Sequence, residues 1–249
     1  MNRDVGRQSM EALVRIAEWL ADDRRRIEQT TLVGGWAVHS WSPYYFSMDI
    51  DLVVRSDTRD RLISQLKRWD FYPADPRAGM DRGKWLLDAD GPQPIRIDLA
   101  GTGRRWANTF ERDPRLELPW ALAFEHRAPR AVSWNDPPLS PRMPVCNADL
   151  LLLYKLKALD DRGHLMRVHG DPDGYLATKI AKDAKDIWEL LKEVERRPDL
   201  GLIREQFDRL PTLRETLRSA PKTKGVADAP SQGRLQEYKS LVEKRLGTL

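Results

Sequence analysis

Two stretches of the 249-residue chain place aspartates where they could share chemistry. Ser47-Met48-Asp49-Ile50-Asp51-Leu52 alternates apolar and acidic residues, and Ile95-Arg96-Ile97-Asp98-Leu99 repeats the alternation. Alternate side chains of a strand share a face. Met48, Ile50 and Leu52 are therefore predicted to face a core, with Asp49 and Asp51 together on the opposite side. The second stretch sends Ile95, Ile97 and Leu99 inward and Asp98 outward. Two ionised carboxylates ~4 Å apart, at an effective dielectric of ~20, repel by on the order of 4 kcal/mol. A divalent cation between them relieves that repulsion, and hard oxygen ligands suit Mg²⁺. If the two strands are neighbours, Asp98 joins the pair. Three carboxylates around two metal ions suit in-line phosphoryl or nucleotidyl transfer, with one ion activating a hydroxyl and the other neutralising a triphosphate and its leaving pyrophosphate. A lone Asp-x-Asp would read only as a solvated strand edge.

Gly34-Gly35 adds a second feature. A diglycine between a strand and a short helix lets the backbone approach a phosphate, with amides at the helix N-terminus turned towards it. A third feature lies further on. On a helix stepping 100° per residue, Lys155 falls among Leu151, Leu152, Ala158 and Leu159, whereas Lys157 lies on the other side with Asp161 four residues away. On the next helix Asp183 is flanked by Leu176, Ile180, Ile187 and Leu190. Asp186 instead shares its face with Lys179, Lys182 and Glu193. Buried charges are paired, so Lys155 with Asp183 is the expected pair, and Lys157 and Asp186 are expected to face solvent. Such a pair either fixes helix register or presents Lys155 to an anionic ligand.

These residues need elements to hold them. Leu13, Ile16, Ala17 and Leu20 predict an amphipathic helix in the first ~25 residues, with Ser9 as its N-cap. Strands are expected at Thr31 to Val33, Met48 to Val54, Trp85 to Leu87 and Ile95 to Leu99, the last two around an Asp90-Gly91 turn. Thr58 to Trp69 reads as a helix. Residues 101–146, rich in proline and arginine, read as irregular apart from a strand at Ala131 to Trp134. Helices are then expected at 148–162, 175–196, 199–218 and 234–246. The segment Gly163 to Gly174 reads as a polar connection, with Asp-Pro-Asp-Gly at 171–174 forming a turn. The fold class is thus α/β (α+β), with a small mixed sheet in a core domain over 1–146 and an all-helical domain over 147–249.

Composition bounds the rest. Hydrophobic residues make up 41%, enough for a core, and the longest dense apolar run, Leu150 to Tyr154, is far short of the ~20 residues of a membrane span. The polar opening Met1-Asn2-Arg3-Asp4 shows no signal peptide, and the single cysteine, Cys146, cannot close an intrachain disulfide. A cytoplasmic protein without membrane association is expected. Net charge is +4, and Lys192 to Leu249 carries 13 basic and 9 acidic residues, so the excess lies in that quarter. It reads either as a solvated helical face or as a polyanion-binding surface. The four histidines show no metal-ligand spacing, with His164 and His169 expected in a loop.

Gly34-Gly35, thirteen intervening residues and Asp49-Ile50-Asp51, with a third aspartate on a later strand, resemble the signature of the nucleotidyltransferase superfamily, whose fold is shared with DNA polymerase beta. The run Asp149 to Leu159, Arg162, and Lys182-Asp183-Ala184-Lys185-Asp186-Ile187 resembles the later motifs of the AbiEii group, the nucleotidyltransferase toxins of abortive-infection and toxin–antitoxin systems. Gly34-Gly35-Trp36-Ala37-Val38 also resembles the opening motif of aminoglycoside and lincosamide nucleotidyltransferases. The first two resemblances imply transfer of a nucleoside monophosphate from an NTP to an acceptor hydroxyl, with two Mg²⁺ or Mn²⁺ ions held by Asp49, Asp51 and Asp98. Asp98 would also help take the acceptor proton. Gly34, Gly35 and Ser47 would cradle the triphosphate, and Lys155 with Asp183 would complete a pocket closed by the helical domain. The acceptor would be an RNA such as tRNA, or a protein, with an antitoxin as a partner. The third resemblance implies an antibiotic as acceptor instead. Loss of chemistry on the same fold would leave a nucleotide-binding regulatory protein.

Overall fold

The computed structural model describes residues 3–43, 47–75, 83–88, 94–101, 118–135, 138–194, 198–219 and 231–246. They divide into two compact units, one running to Asn147 apart from Leu118, and the other comprising Leu118 and the chain from Ala148 onward.

The first unit opens with α1 (Arg3–Ala21), whose apolar stripe buries Met10, Leu13, Ile16 and Leu20. The stripe reaches back to Val5, so the helix starts earlier than Ser9. Ser9 is not the N-cap: it lies on the buried face and accepts a 2.9 Å hydrogen bond from the Trp36 indole. After the short α2 (Arg24–Glu28), capped by Asp23, the wholly buried β1 (Thr30–Val33) leads straight into α3 (Gly34–Trp41). Then come β2 (Asp49–Val54), α4 (Ser56–Arg68), β3 (Tyr72–Pro73), β4 (Lys84–Leu87) and β5 (Ile95–Ala100). The expected Asp90-Gly91 turn lies outside the described residues.

Between 118 and 146 the chain is more ordered than its composition suggests. It forms α5 (Leu122–Glu125), β6 (Arg127–Ala131), β7 (Trp134–Asn135), β8 (Pro138–Leu139) and β9 (Arg142–Cys146). The single strand expected at Ala131 to Trp134 is replaced by β6, which ends at Ala131, and the separate β7. The proline-rich pattern concealed them. Proline cannot donate to a ladder, and here Pro129 sits on the edge strand β6, opposite Pro144 of β9.

Seven strands make one mixed sheet, in the order β3-β4-β5-β2-β1-β9-β6. β2 lies between an antiparallel β1 and a parallel β5, and α1 packs against β2, β5 and β9. Ile50, Leu52, Ile97 and Leu99 are buried on one face, while Asp49, Asp51 and Asp98 alternate with them.

The second unit is helical: α6 (Ala148–His169), α7 (Tyr175–Val194), α8 (Leu200–Arg209), α9 (Pro211–Ser219) and α10 (Ser231–Leu246). α6 runs seven residues beyond the expected end at 162 and absorbs Gly163, so His164 and His169 are helical rather than in a loop. Only 170–174 turns, and Asp171 accepts bonds from the Leu176 and Ala177 amides at the start of α7. The single helix expected over 199–218 is two helices. Proline has no N–H and clashes with the preceding turn, so Pro211 ends α8 and opens α9. Leu150, Leu151, Leu152 and Leu153 are all buried, so the first turns of α6 are covered on every side. Among the described residues, no helix is long and apolar enough to cross a membrane.

Candidate functional site

The register of β2 on β5 settles where the three aspartates of the first unit stand. Asp51 is directly opposite Asp98, and Asp49 is opposite Arg96. Neighbouring strands lie ~4.8 Å apart, so Asp51 and Asp98 are cross-strand neighbours on one face, with Asp49 two residues along it.

Gly34 completes the platform from the other side. Val33 of β1 pairs with Asp51, and the chain then turns into α3 through Gly34 at φ +67. That left-handed backbone suits glycine. A Cβ on Gly34 would also stand 1.9 Å from Asp51 Oδ2 and 2.5 Å from its Cγ. The Asp51 carboxylate therefore occupies the space that a side chain at Gly34 would fill. It lies at the start of α3, where no side chain caps the helix and backbone amides favour negative charge. Gly35 is buried in the same turn. Ser47, two residues before Asp49, is 1% exposed, and its hydroxyl has no hydrogen-bond partner among the described residues.

The charges at the platform act on one another. Burial, with the Asp51 and Asp49 carboxylates, pushes the Asp98 carboxyl from its ordinary 3.8 up to about 6, and Arg96 and Lys84 oppose the rise. Among the described residues, Asp98 Oδ1 is buried without a hydrogen-bond partner, whereas Oδ2 lies 3.1 Å from Arg96 Nη2. The same nitrogen is 3.0 Å from Asp49 Oδ2. Arg96 carries a signal in the sequence that points to the platform. The alternation that sends Asp98 to the polar face of β5 sends Arg96 there too. Lys84, an exposed residue of β4 opposite Asp98, adds a second cation.

Among the described residues, no group of three or more His, Cys, Asp or Glu is placed as it stands to hold a metal ion. In chemical type alone, the donors at the platform suit a hard divalent cation. They are oxygen ligands only, one of them the orphaned Oδ1 of Asp98, beside a glycine that leaves room for the Asp51 carboxylate.

In the second unit, Lys155 Nζ lies 3.0 Å from Asp183 Oδ1 and 2.5 Å from Asp186 Oδ2. Arg162 forms a further ion pair with Asp183. Seven residues turn a helix by about −20° net, so Arg162 shares the face of Lys155. Two expectations fail here. Asp186 is 1% exposed rather than on the solvent side, and Lys157 is 8% exposed, although it does pair with Asp161 at 2.5 Å. Both errors come from assuming one apolar face per helix, whereas α6 and α7 pack against several neighbours. The interior of this unit therefore holds a connected charge network rather than an isolated pair.

No protein-family model matches the chain, and no curated protein matches it closely enough to count as a relative.

Proposed function

We propose that the first unit is a nucleotidyltransferase core that transfers a nucleoside monophosphate from an NTP to an acceptor hydroxyl, releasing pyrophosphate. The observation that carries this reading is the juxtaposition of Gly34 at φ +67, the Asp51 carboxylate against it and Asp98 in register with Asp51. Asp49, Asp51 and Asp98 would hold two Mg²⁺ or Mn²⁺ ions, which supply Lewis acidity at the acceptor oxygen and counter-charge for the triphosphate. The remaining steps belong to the chain. The amides at Gly34 and Gly35 and the Ser47 hydroxyl bind phosphate oxygens. Asp98 takes, or helps take, the acceptor proton. The bond from the acceptor oxygen to the α-phosphorus forms as the bond from that phosphorus to the bridging oxygen breaks, and pyrophosphate carries the electron pair away. The same reading assigns Lys155 to the triphosphate and Asp183 to its orientation. An RNA such as tRNA, or a protein, is the proposed acceptor, in the manner of AbiEii-type toxins, with an antitoxin as regulatory partner.

A second reading draws on Arg96. Its guanidinium already neutralises Asp49 and Asp98, which would suit a nucleotide-binding protein without chemistry. Incubation with each α-labelled NTP and Mg²⁺ or Mn²⁺, in the presence of total RNA, of protein and of an aminoglycoside, separates the readings. Label on RNA or protein that is lost in Asp51→Asn supports the proposal. Label on the aminoglycoside moves the acceptor to small molecules. Nucleotide-dependent stabilisation with label on nothing supports the binding protein.

A further inference from the structure

Arg96 occupies a position with a consequence for how cations reach the site. A single atom, Nη2, approaches Asp49 Oδ2 at 3.0 Å and Asp98 Oδ2 at 3.1 Å. It bridges carboxylates of two adjacent strands. The register makes this close approach a property of the sheet: Arg96 is directly opposite Asp49 and two residues before Asp98 on the same face. The three side chains are only 19–30% exposed, so water screens their charges weakly. Lys84, exposed and opposite Asp98, is the other cation that acts on Asp98 beside Arg96.

We propose that Arg96 is the resident counter-cation of the carboxylate platform, and that a divalent ion must displace its guanidinium from Asp49 and Asp98 to bind. The inference rests on the nucleotidyl-transfer reading and concerns regulation of that same site. Arg96 is a positioning residue. In the metal-free protein it holds the two carboxylates in place against their repulsion. Once displaced it remains on the same strand face, where its planar fork of donors suits phosphate oxygens. Metal affinity is thereby set by an exchange of one cation for another rather than by the carboxylates alone.

The test is Mn²⁺ binding to the purified full chain without nucleotide, followed by electron paramagnetic resonance, with thermal melts in chelator and in saturating Mn²⁺. Arg96→Gln should bind Mn²⁺ at least tenfold more tightly than the natural chain, melt lower in chelator and gain more on Mn²⁺ addition. Arg96→Lys, which keeps the charge but loses the fork, should fall between the two. Should Arg96→Gln not fold, this second variant carries the test, with a tightening of about threefold expected. Lys84→Gln removes a nearby charge that is not a bridge, and should alter Mn²⁺ affinity less than twofold. If it tightens binding as much as Arg96→Gln does, bulk charge explains the effect and direct displacement is overturned. Unchanged or weaker Mn²⁺ binding in the Arg96 variants, with binding still lost in Asp51→Asn, overturns this inference and leaves the nucleotidyl-transfer reading standing. Equal Mn²⁺ binding by Asp51→Asn and the natural chain overturns both.

Discussion

At the scale of single residues, the platform depends on what Gly34 lacks. A left-handed backbone costs a non-glycine residue roughly 1–2 kcal/mol, and any Cβ there must also push the Asp51 carboxylate aside. Gly34→Ala should therefore lower the melting temperature by several degrees, at about 2–4 °C per kcal/mol for a chain of this size. It should also abolish Asp51-dependent Mn²⁺ binding, and normal binding in that variant would show that Asp51 has another resting place. Asp98 gives a second prediction. Folding raises its pKa from 3.8 to about 6, so the native state keeps a proton that the unfolded chain has released. The stability this contributes is fully present below 3.8 and is lost as pH rises through about 6, a change of about 3 kcal/mol. Urea melts in chelator should show this decline between pH 4 and 7, and Asp98→Asn should remove it. The three aspartates were legible because a strand has a period of two. Arg96 shares that period, so the same alternation places it beside Asp98 on the polar face.

At the scale of elements, legibility follows how many sides of an element are covered. β2 and β5 alternate cleanly, and their pattern sufficed to place Asp49, Asp51 and Asp98 on one face. β6 and β9 carry prolines that break the usual strand pattern, so they could be found only through their partners, β9 in turn pairing with β1. α6 and α7 are covered on several sides, which a single-face periodicity cannot express. It paired Lys155 with Asp183 but missed Asp186, Arg162 and the burial of Lys157. Removing one member of a buried ion network leaves its partners uncompensated, at about 3–5 kcal/mol. Lys155→Ala strips one cation from two buried aspartates and should cost about 3 kcal/mol, Arg162 still compensating Asp183. Lys157→Ala removes one cation from Asp161, substitutes the best helix former and should cost about 1 kcal/mol. Urea denaturation of both variants measures the difference. On the nucleotidyl-transfer reading, Lys155→Ala also abolishes label transfer while Lys157→Ala retains it. If label transfer survives in Lys155→Ala while stability drops, Lys155 only fixes the register of α6 on α7.

At the scale of the whole molecule, the question is whether the basic excess of residues 192–249 contacts a polyanion. Part of that charge is internally compensated. Lys192 pairs with Glu189, Arg214 with Asp208 and Lys239 with Glu243. Arg204, Arg209, Arg218 and Lys244 are exposed, which fits a solvated helical face as well as a binding surface. Salt dependence distinguishes the two, because each phosphate neutralised on a single strand releases condensed counterions and contributes about −0.7 to the slope of log K against log salt. If an RNA acceptor is held by this surface, four such contacts predict a slope near −3. Charge reversal at Arg204, Arg209 and Arg218 should then weaken RNA binding by an order of magnitude or more. The same variant should keep its Mn²⁺ affinity and its NTP-dependent rise in melting temperature, because the carboxylates and Gly34 belong to the other unit. Filter binding between 50 and 300 mM salt provides the slope. A slope near zero, or charge reversal without effect, would assign these arginines to solvation and turn the search for the acceptor towards proteins and small molecules.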